Sequence, residues 1–566
     1  MTAERIQDRS WVNLILIIAL FIGVNIAGQY YYTKIDLTEE KRFTLTPATV
    51  DLIEGIDQPV FIEVMLEGEF PAGFKRLQNA LQELLLELKS INNRIQFRFE
   101  DPLEGSAEEV EERLQSLAQV GIVPTELNVR DREGSSKRRI YPYAIFNYSD
   151  RQIAINLLEN ETPGIPPEIA LNNSISLLEY KSADAISKLL INNKSNILFS
   201  SGHGELSLRE TASLEQNLRA FYNTGRVNLD SIYQIPREVE ALVIAKPSNP
   251  FSEKAKFVLD QYIMSGGNVL FLLDPLVVNL DSIQAKGQYV PHDSEVNLDD
   301  MLFRYGARVN RNLVVDFECS QIPMVVGKVG SRNQFELLPW YYHPLAAGNP
   351  SHPITKGLDR VDLRFPATID TLETKTAIEK TILLSSSLRS RLQYSPVVID
   401  FEILKAPPDP SIFDDGPQPL AVLLEGPFAS LYENRVTPAM KEGLVQIGAD
   451  FIPLGIPARI MIVADGDVAA NVIDRSTGQP RPLGYNPYMQ YTFANQSFLV
   501  NTIEYMLDRS GLIEARSKFV KLRLLDQARI ESERGKWQLI NVVVPIALLL
   551  LLGVIFHMWR KRKYAR

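Results

Sequence analysis

The chain has 566 residues, a net charge of −10 and an apolar share of 45%. That length holds two or three domains with real cores, and the acidic balance argues against nucleic acid as a partner. The single cysteine, Cys319, excludes an internal disulfide and any cysteine-rich metal site.

Residues 1–10 precede an uncharged run, Trp11 to Tyr32, that is long enough to cross a bilayer. Asn13, Asn25 and Gln29 are its strongly polar members, and aromatic residues bracket it. The length and the lack of a small-x-small cleavage site favour a retained span over a signal peptide. Residues 33–193 then read as one α/β domain. Thr46 before Pro47 has the form of a helix N-cap followed by proline at the first helical position. Val60 to Leu66 alternates as a strand, and Phe74 to Ile91 carries a leucine stripe: Leu77, Leu81, Leu84, Leu85 and Leu88. Ile95–Phe99 predicts a strand and Glu108–Val120 a helix. Glu126–Val129 predicts a strand, Arg139–Tyr148 another, paired with Gln152–Leu157, and Ser174–Ile191 a closing helix. This order matches a thioredoxin-like domain, but no Cys-x-x-Cys is present, which rules out thiol redox chemistry.

Residues 194–510 form a second domain. Ile197–Phe199, Val227–Leu229, Ala241–Ala245 and Val269–Leu273 are short apolar strands. Amphipathic helices separate them, one opening after Glu205 and one capped by Ser252, so a doubly wound parallel sheet is expected. Val277–Asp293 reads as a surface excursion, Asn297–Tyr305 as a helix and Leu313–Phe317 as a strand. Pro339–Pro353 reads as a loop, which places His343 and His352 in solvent-facing or hydrogen-bonded roles. Thr381–Leu384, Leu420–Leu424 and Arg459–Ala464 are further strands, Ala406–Pro419 a proline-rich loop and Asn495–Leu507 a closing helix. Residues 511–538 read as a juxtamembrane stalk. Residues 539–559 form a second span, with Trp537 and Trp559 about 33 Å apart if helical. The tail 560–566 is a dense basic cluster, which stays on the cytoplasmic side. Both ends are then cytoplasmic, with the body outside the inner membrane of a bacterium.

Several local sequences together carry a resemblance. They are Lys41-Arg-Phe-Thr-Leu-Thr-Pro47, Ser201-Gly-His-Gly-Glu205, Ser265-Gly-Gly267, Leu272-Leu-Asp-Pro275, Val463-Ala-Asp-Gly-Asp467 with Asn471, and Gly535-Lys-Trp-Gln-Leu-Ile-Asn541. With the two spans, this resembles the family of the gliding-motility-associated ABC transporter substrate-binding protein GldG, and more broadly the auxiliary subunits of uncharacterised ABC transporters. The resemblance implies an ABC permease partner and, through it, a cytoplasmic ATPase. It also implies that residues 194–510 resemble class I glutamine-amidotransferase-like folds.

Strand ends of a doubly wound sheet converge on one rim, where ligands bind. Ser201, His203, Glu205, Lys246, Asp274, Asp465 and Asp467 are expected there as ligand-binding candidates. His203 and Glu205 have the chemistry of a base and its orienter, or of metal ligands. A purely local account is simpler: Gly202 and Gly204 make a turn, Glu205 lies in a first helical turn, and Asp274 precedes a proline turn. No cysteine stands at a sharp strand-to-helix turn, and Cys319 reads as a buried thiol. No Gly-x-x-x-x-Gly-Lys-Ser/Thr occurs, so ATP hydrolysis by that loop is excluded. The expected function is a non-catalytic, membrane-anchored subunit without cofactor or metal. A solute-binding module and a membrane-tethered hydrolase are the alternatives.

Overall fold

The computed structural model describes residues 16–23, 44–68, 70–119, 121–131, 134–159, 167–191, 193–330, 332–404, 408–446, 450–508, 511–517 and 527–564. It forms two compact units, Met1–Phe519 and Val520–Arg566. Residues 16–23 are helical and exposed, and the rest of the first expected span lies outside the described residues.

In the first unit, helix α1 (Pro47–Glu54) starts as its sequence predicts, with the Thr46 side chain accepting from the Thr49 N–H. Strand β1 (Val60–Val64) leads to α2 (Ala72–Ile91), then β2 (Ile95–Phe99) and α3 (Ala107–Gln119). A hairpin follows, β3 (Thr125–Asp131) and β4 (Gly134–Ile140), and then a second, β5 (Tyr143–Tyr148) and β6 (Arg151–Asn156). The sheet order is β2-β1-β5-β6, with β1 and β2 parallel and the other pairs antiparallel. The leucine stripe of α2 lies on it: Leu77, Leu81, Leu85 and Leu88 are buried with Ile62, Val64 and Phe146. The single strand expected over Arg139–Tyr148 is divided at Tyr141-Pro142, because proline has no N–H to give a ladder. The closing helix is likewise two, α4 (Pro167–Ser176) and α5 (Leu178–Leu190).

The central part follows with β7 (Asn196–Ser201), α6 (Ala212–Arg219), β8 (Asn223–Asn228), β9 (Val239–Ala245), α7 (Glu253–Met264) and β10 (Asn268–Leu272). After two short helices come β11 (Asn312–Asp316), β12 (Cys319–Val329), β13 (Arg332–Gly348), β14 (Glu379–Ser385), β15 (Ser390–Tyr394), β16 (Pro419–Ala429), β17 (Leu454–Val463) and α8 (Asn495–Leu507). The main sheet runs β12-β13-β14-β16-β17-β10-β9-β7-β8. From β17 to β8 every pair is parallel; from β17 to β12 every pair is antiparallel. Register places Phe199, Val243, Leu270 and Met461 side by side, facing a core with Leu214 and Leu218 of α6 and Phe498 of α8. The next row, Leu242, Val269 and Ile460, faces Val258 and Leu259 of α7. Helices therefore cover both faces, which is why the inner parallel strands β7, β9, β10 and β17 are largely apolar.

The structure departs from expectation at four further places. Strand β8 begins earlier, at Asn223, and is largely polar because it is the edge of the sheet. The helix expected directly after Glu205 begins only at Ala212. Pro339–Pro353 is not a loop: its first ten residues lie in β13, and Trp340, Tyr341 and Tyr342 fill a satellite core with Leu313, Val315 and Phe413. The prolines are carried by an irregular register, Pro339 opposite Gln321 and Pro344 opposite Cys319, with a shift between. Residues 511–517 do not begin a stalk; they turn as a short helix that buries Ile513 and Ala515 against Tyr180 of α5.

In the second unit, α9 (Gln527–Tyr564) is one continuous helix. Within Ser532–Arg562 an 18-residue window has a mean hydropathy of 2.9, and the segment is long and apolar enough to cross a membrane. Pro545 lies within it.

Candidate functional site

The carboxyl ends of β7, β9, β10 and β17 lie on one rim because these strands run parallel. The chain leaves β7 for β8 on one side and returns to β9 on the other. The rim between β7 and β9 is therefore a topological switch point. The sequence candidates occupy this rim, but in two separate groups.

The first group is closed. Gly202 and Gly204 take φ of +104° and +74°, which lets the backbone reverse directly after β7. His203 is turned inward, 2% exposed, and stacks on Phe251 with ring centroids 3.9 Å apart. Its Nδ1 lies 3.5 Å from Glu205 and its Nε2 3.1 Å from Asp230. The Glu205 carboxylate bends back to accept the His203 N–H at 2.7 Å. The His203 carbonyl accepts from the N–H groups of Ser248 and Asn249 at 2.9 and 2.8 Å. The ring nitrogens thus face carboxylates, not a hydroxyl or thiol, and the group ties two strand-end loops together. Ser201 ends β7 half-buried beside it.

The second group is a lysine set among acids. Lys246 has a φ of +52°, and its Nζ lies 2.6 Å from Asp467 and 3.2 Å from Asp274. Burial works to lower its pKa, but Asp274 and Asp467 more than offset this and raise it. Burial pushes Asp274 up while Lys246 pulls it back. Asp274 also accepts the Gly466 N–H at 2.5 Å. Asp465 is fully buried and accepts the N–H groups of Arg364 and Asp467, both at 2.8 Å. Burial, with Asp274 and Asp467 nearby, raises its pKa well above the usual carboxylate range. Asp465 is therefore a brace that sets the loops.

Lys246 and Asp467 form one wall of a cavity of about 780 Å³, within the size range of small-molecule sites. The other walls include His343, Asp362 and Arg364, none of which stood among the sequence candidates. His343 is 6% exposed; burial and then the Arg364 cation hold it well below its ordinary value, so the imidazole is neutral. Burial pushes the Asp362 carboxyl up to about 6, against the pull of Arg364. The alternation Val361-Asp-Leu-Arg-Phe365 reads as a short strand but carries no motif. Cys319 is half-buried, and burial pushes its thiol up to about 12, so it is inert. Among the described residues, no cluster of three His, Cys, Asp or Glu side chains is placed to hold a metal.

Residues 194–502 match the family described as an ABC-type uncharacterized transport system. The chain belongs to that family. Residues 39–147 match a domain of unknown function. An uncharacterized protein of Borreliella burgdorferi is 21% identical over 309 residues, which are 54% of this chain and 55% of that relative. The chain thus aligns with just over half the length of this relative. Among solved structures, an IFT52 N-terminal domain is similar at a TM-score of 0.30 and 15% identity, covering 55% of this chain and 97% of that one. A putative ThuA-like protein from Parabacteroides merdae is similar at a TM-score of 0.27 and 13% identity, covering 58% and 93%. Membership of the transport-system family fits an accessory role in transport, and α9 supplies a candidate membrane anchor.

Proposed function

We propose that this chain is a non-catalytic, membrane-anchored subunit of an ABC transporter that docks on a permease and, through it, couples to a cytoplasmic ATPase. The family match over residues 194–502 is the observation that carries this reading. Two spans, 11–32 and 539–559, hold the body outside the inner membrane with both termini cytoplasmic. The helical, exposed residues 16–23, the apolar Ser532–Arg562 and the basic residues after Trp559 support that topology. The strand order β2-β1-β5-β6 supports a thioredoxin-like reading of the first part. The parallel half of the main sheet supports an amidotransferase-like reading of the second. A GldG-like role in gliding is the finer form of the same proposal.

A second reading, a solute-binding module, is favoured by the cavity beside Lys246. A tethered hydrolase finds less support, because the buried His203 faces two carboxylates and an aromatic ring.

The legs are expected to carry the docking. Replacing residues 539–559 by an unrelated leucine-rich helix should keep the body anchored but release the permease in mild detergent. Undiminished recovery of the permease with this variant would place the contact elsewhere and end the two-legged docking account.

A further inference from the structure

Most charges around the rim cavity are already used. Lys246 is held by Asp274 and Asp467, Arg481 pairs with Asp474, and the exposed Arg475 lies 3.8 Å from Asp281. Arg364 differs. Its backbone N–H is bound to Asp465, but its guanidinium makes no hydrogen bond or ion pair among the described residues. Two nearly buried neighbours share this condition. His343 Nε2 and Asp362 Oδ1 have no hydrogen-bond partner, and each residue is only 6% exposed. Buried polar atoms are rarely left unpaired, and a polar cavity of this size is filled by water or by something that replaces it.

The amide side chains of the wall point the same way. The Asn279 carbonyl oxygen caps the Ser282 N–H, and that of Asn486 accepts from Tyr488 and Met489. This uses their acceptors and leaves both NH2 groups as donors without a protein partner among the described residues. Phe365, Tyr485 and Tyr488 add aromatic surface. The lining thus offers one free guanidinium, one carboxylate, a neutral imidazole, two amide donors and aromatic faces. A purely apolar ligand would strand these groups. A bare inorganic anion would use the guanidinium and leave the rest unfilled.

We propose that this cavity binds a small polyhydroxylated anion, its carboxylate or phosphate on Arg364 and its hydroxyl groups on Asp362, His343, Asn279 and Asn486. A planar fork such as Arg364 matches either anion bidentately. The inference deepens the solute-binding reading above and is independent of docking on a permease.

The test is calorimetric titration of the full chain in mild detergent with D-glucuronate, D-glucose 6-phosphate, D-glucose and inorganic phosphate. At least one of the first two should bind, with D-glucose and inorganic phosphate at least about tenfold weaker. Which of the two binds separates a sugar acid from a sugar phosphate. R364Q should weaken that binding by about tenfold or more while still unfolding cooperatively, since the guanidinium has no hydrogen-bond partner to lose although its charge acts on Asp362 and His343. D-glucose or phosphate binding as tightly as the anionic sugars, or R364Q binding unchanged, would overturn the ligand class but leave a solute site standing. No binding by any of the four would overturn the inference and remove the support for the solute-binding reading as well.

Discussion

His203 is held on three sides, by Phe251, Glu205 and Asp230, and this decides what its removal costs. A histidine in a simple exposed turn could be replaced with little effect. Here His203→Ala leaves the buried Glu205 carboxylate without its facing imidazole and opens space against Phe251, so a loss of about 2–4 kcal/mol is expected in denaturant unfolding. A loss near zero would mean the loop is not a constrained joint. Gly204→Ala should cost about 1–2 kcal/mol, since its φ of +74° is left-handed and an added Cβ would meet the Ser248 hydroxyl at 2.0 Å. Asp362 gives a pH-dependent case. Unfolded, its carboxyl loses its proton near pH 3.9; folded, it keeps it up to about 6. The folded state binds the extra proton between these values, so this residue's contribution to stability falls as pH rises through that window. Asp362→Asn should therefore be more stable than the parent at pH 8, by roughly 1–3 kcal/mol, with the gap closing near pH 4. An equal gap at both pH values would contradict the assignment. The strand-end loops were legible because apolar runs stop at small or charged residues. The cavity trio was not, because His343, Asp362 and Arg364 lie in sequence far from those loops and only the sheet brings them there.

At the scale of elements, the first part is joined to the central part by buried charge between α5 and α8. Lys188 lies 2.5 Å from Glu504 and 2.7 Å from Asp184, and the Tyr180 hydroxyl donates to Glu504 at 2.9 Å. Burial pushes Asp184 up to about 6 against the pull of Lys188. Beside them Arg516 donates to Asn501 at 2.6 Å and lies over the Tyr180 ring. Removing one partner of such a set leaves a buried charge uncompensated. Lys188→Met should cost about 3–5 kcal/mol, whereas Lys188→Met with Glu504→Leu should cost less than the sum of the two single changes. Strict additivity in urea unfolding would show that the two helices are not coupled through this set. The leucine stripe of α2 and the apolar parallel strands were readable because their period matches their burial. The β12–β13 hairpin was not: its aromatic and proline residues resemble a loop, and its core is completed by residues from elsewhere in the chain, Leu313 and Val315 of β11 and Phe413.

For the whole molecule, the family and the apolar α9 support an anchored accessory subunit. A reporter fused after Arg566 should be active only in the cytoplasm, and one inserted near Pro408 only outside. Activity of the first reporter on the outer side would overturn the proposed topology. Association with a transporter is read out by affinity purification of the intact chain from its own membranes in mild detergent, with the co-purified proteins identified and their ratios measured. A permease and an ABC ATPase are expected in fixed ratio to the chain. Recovery of the chain without either of them, from membranes in which both are present and intact, would contradict that association.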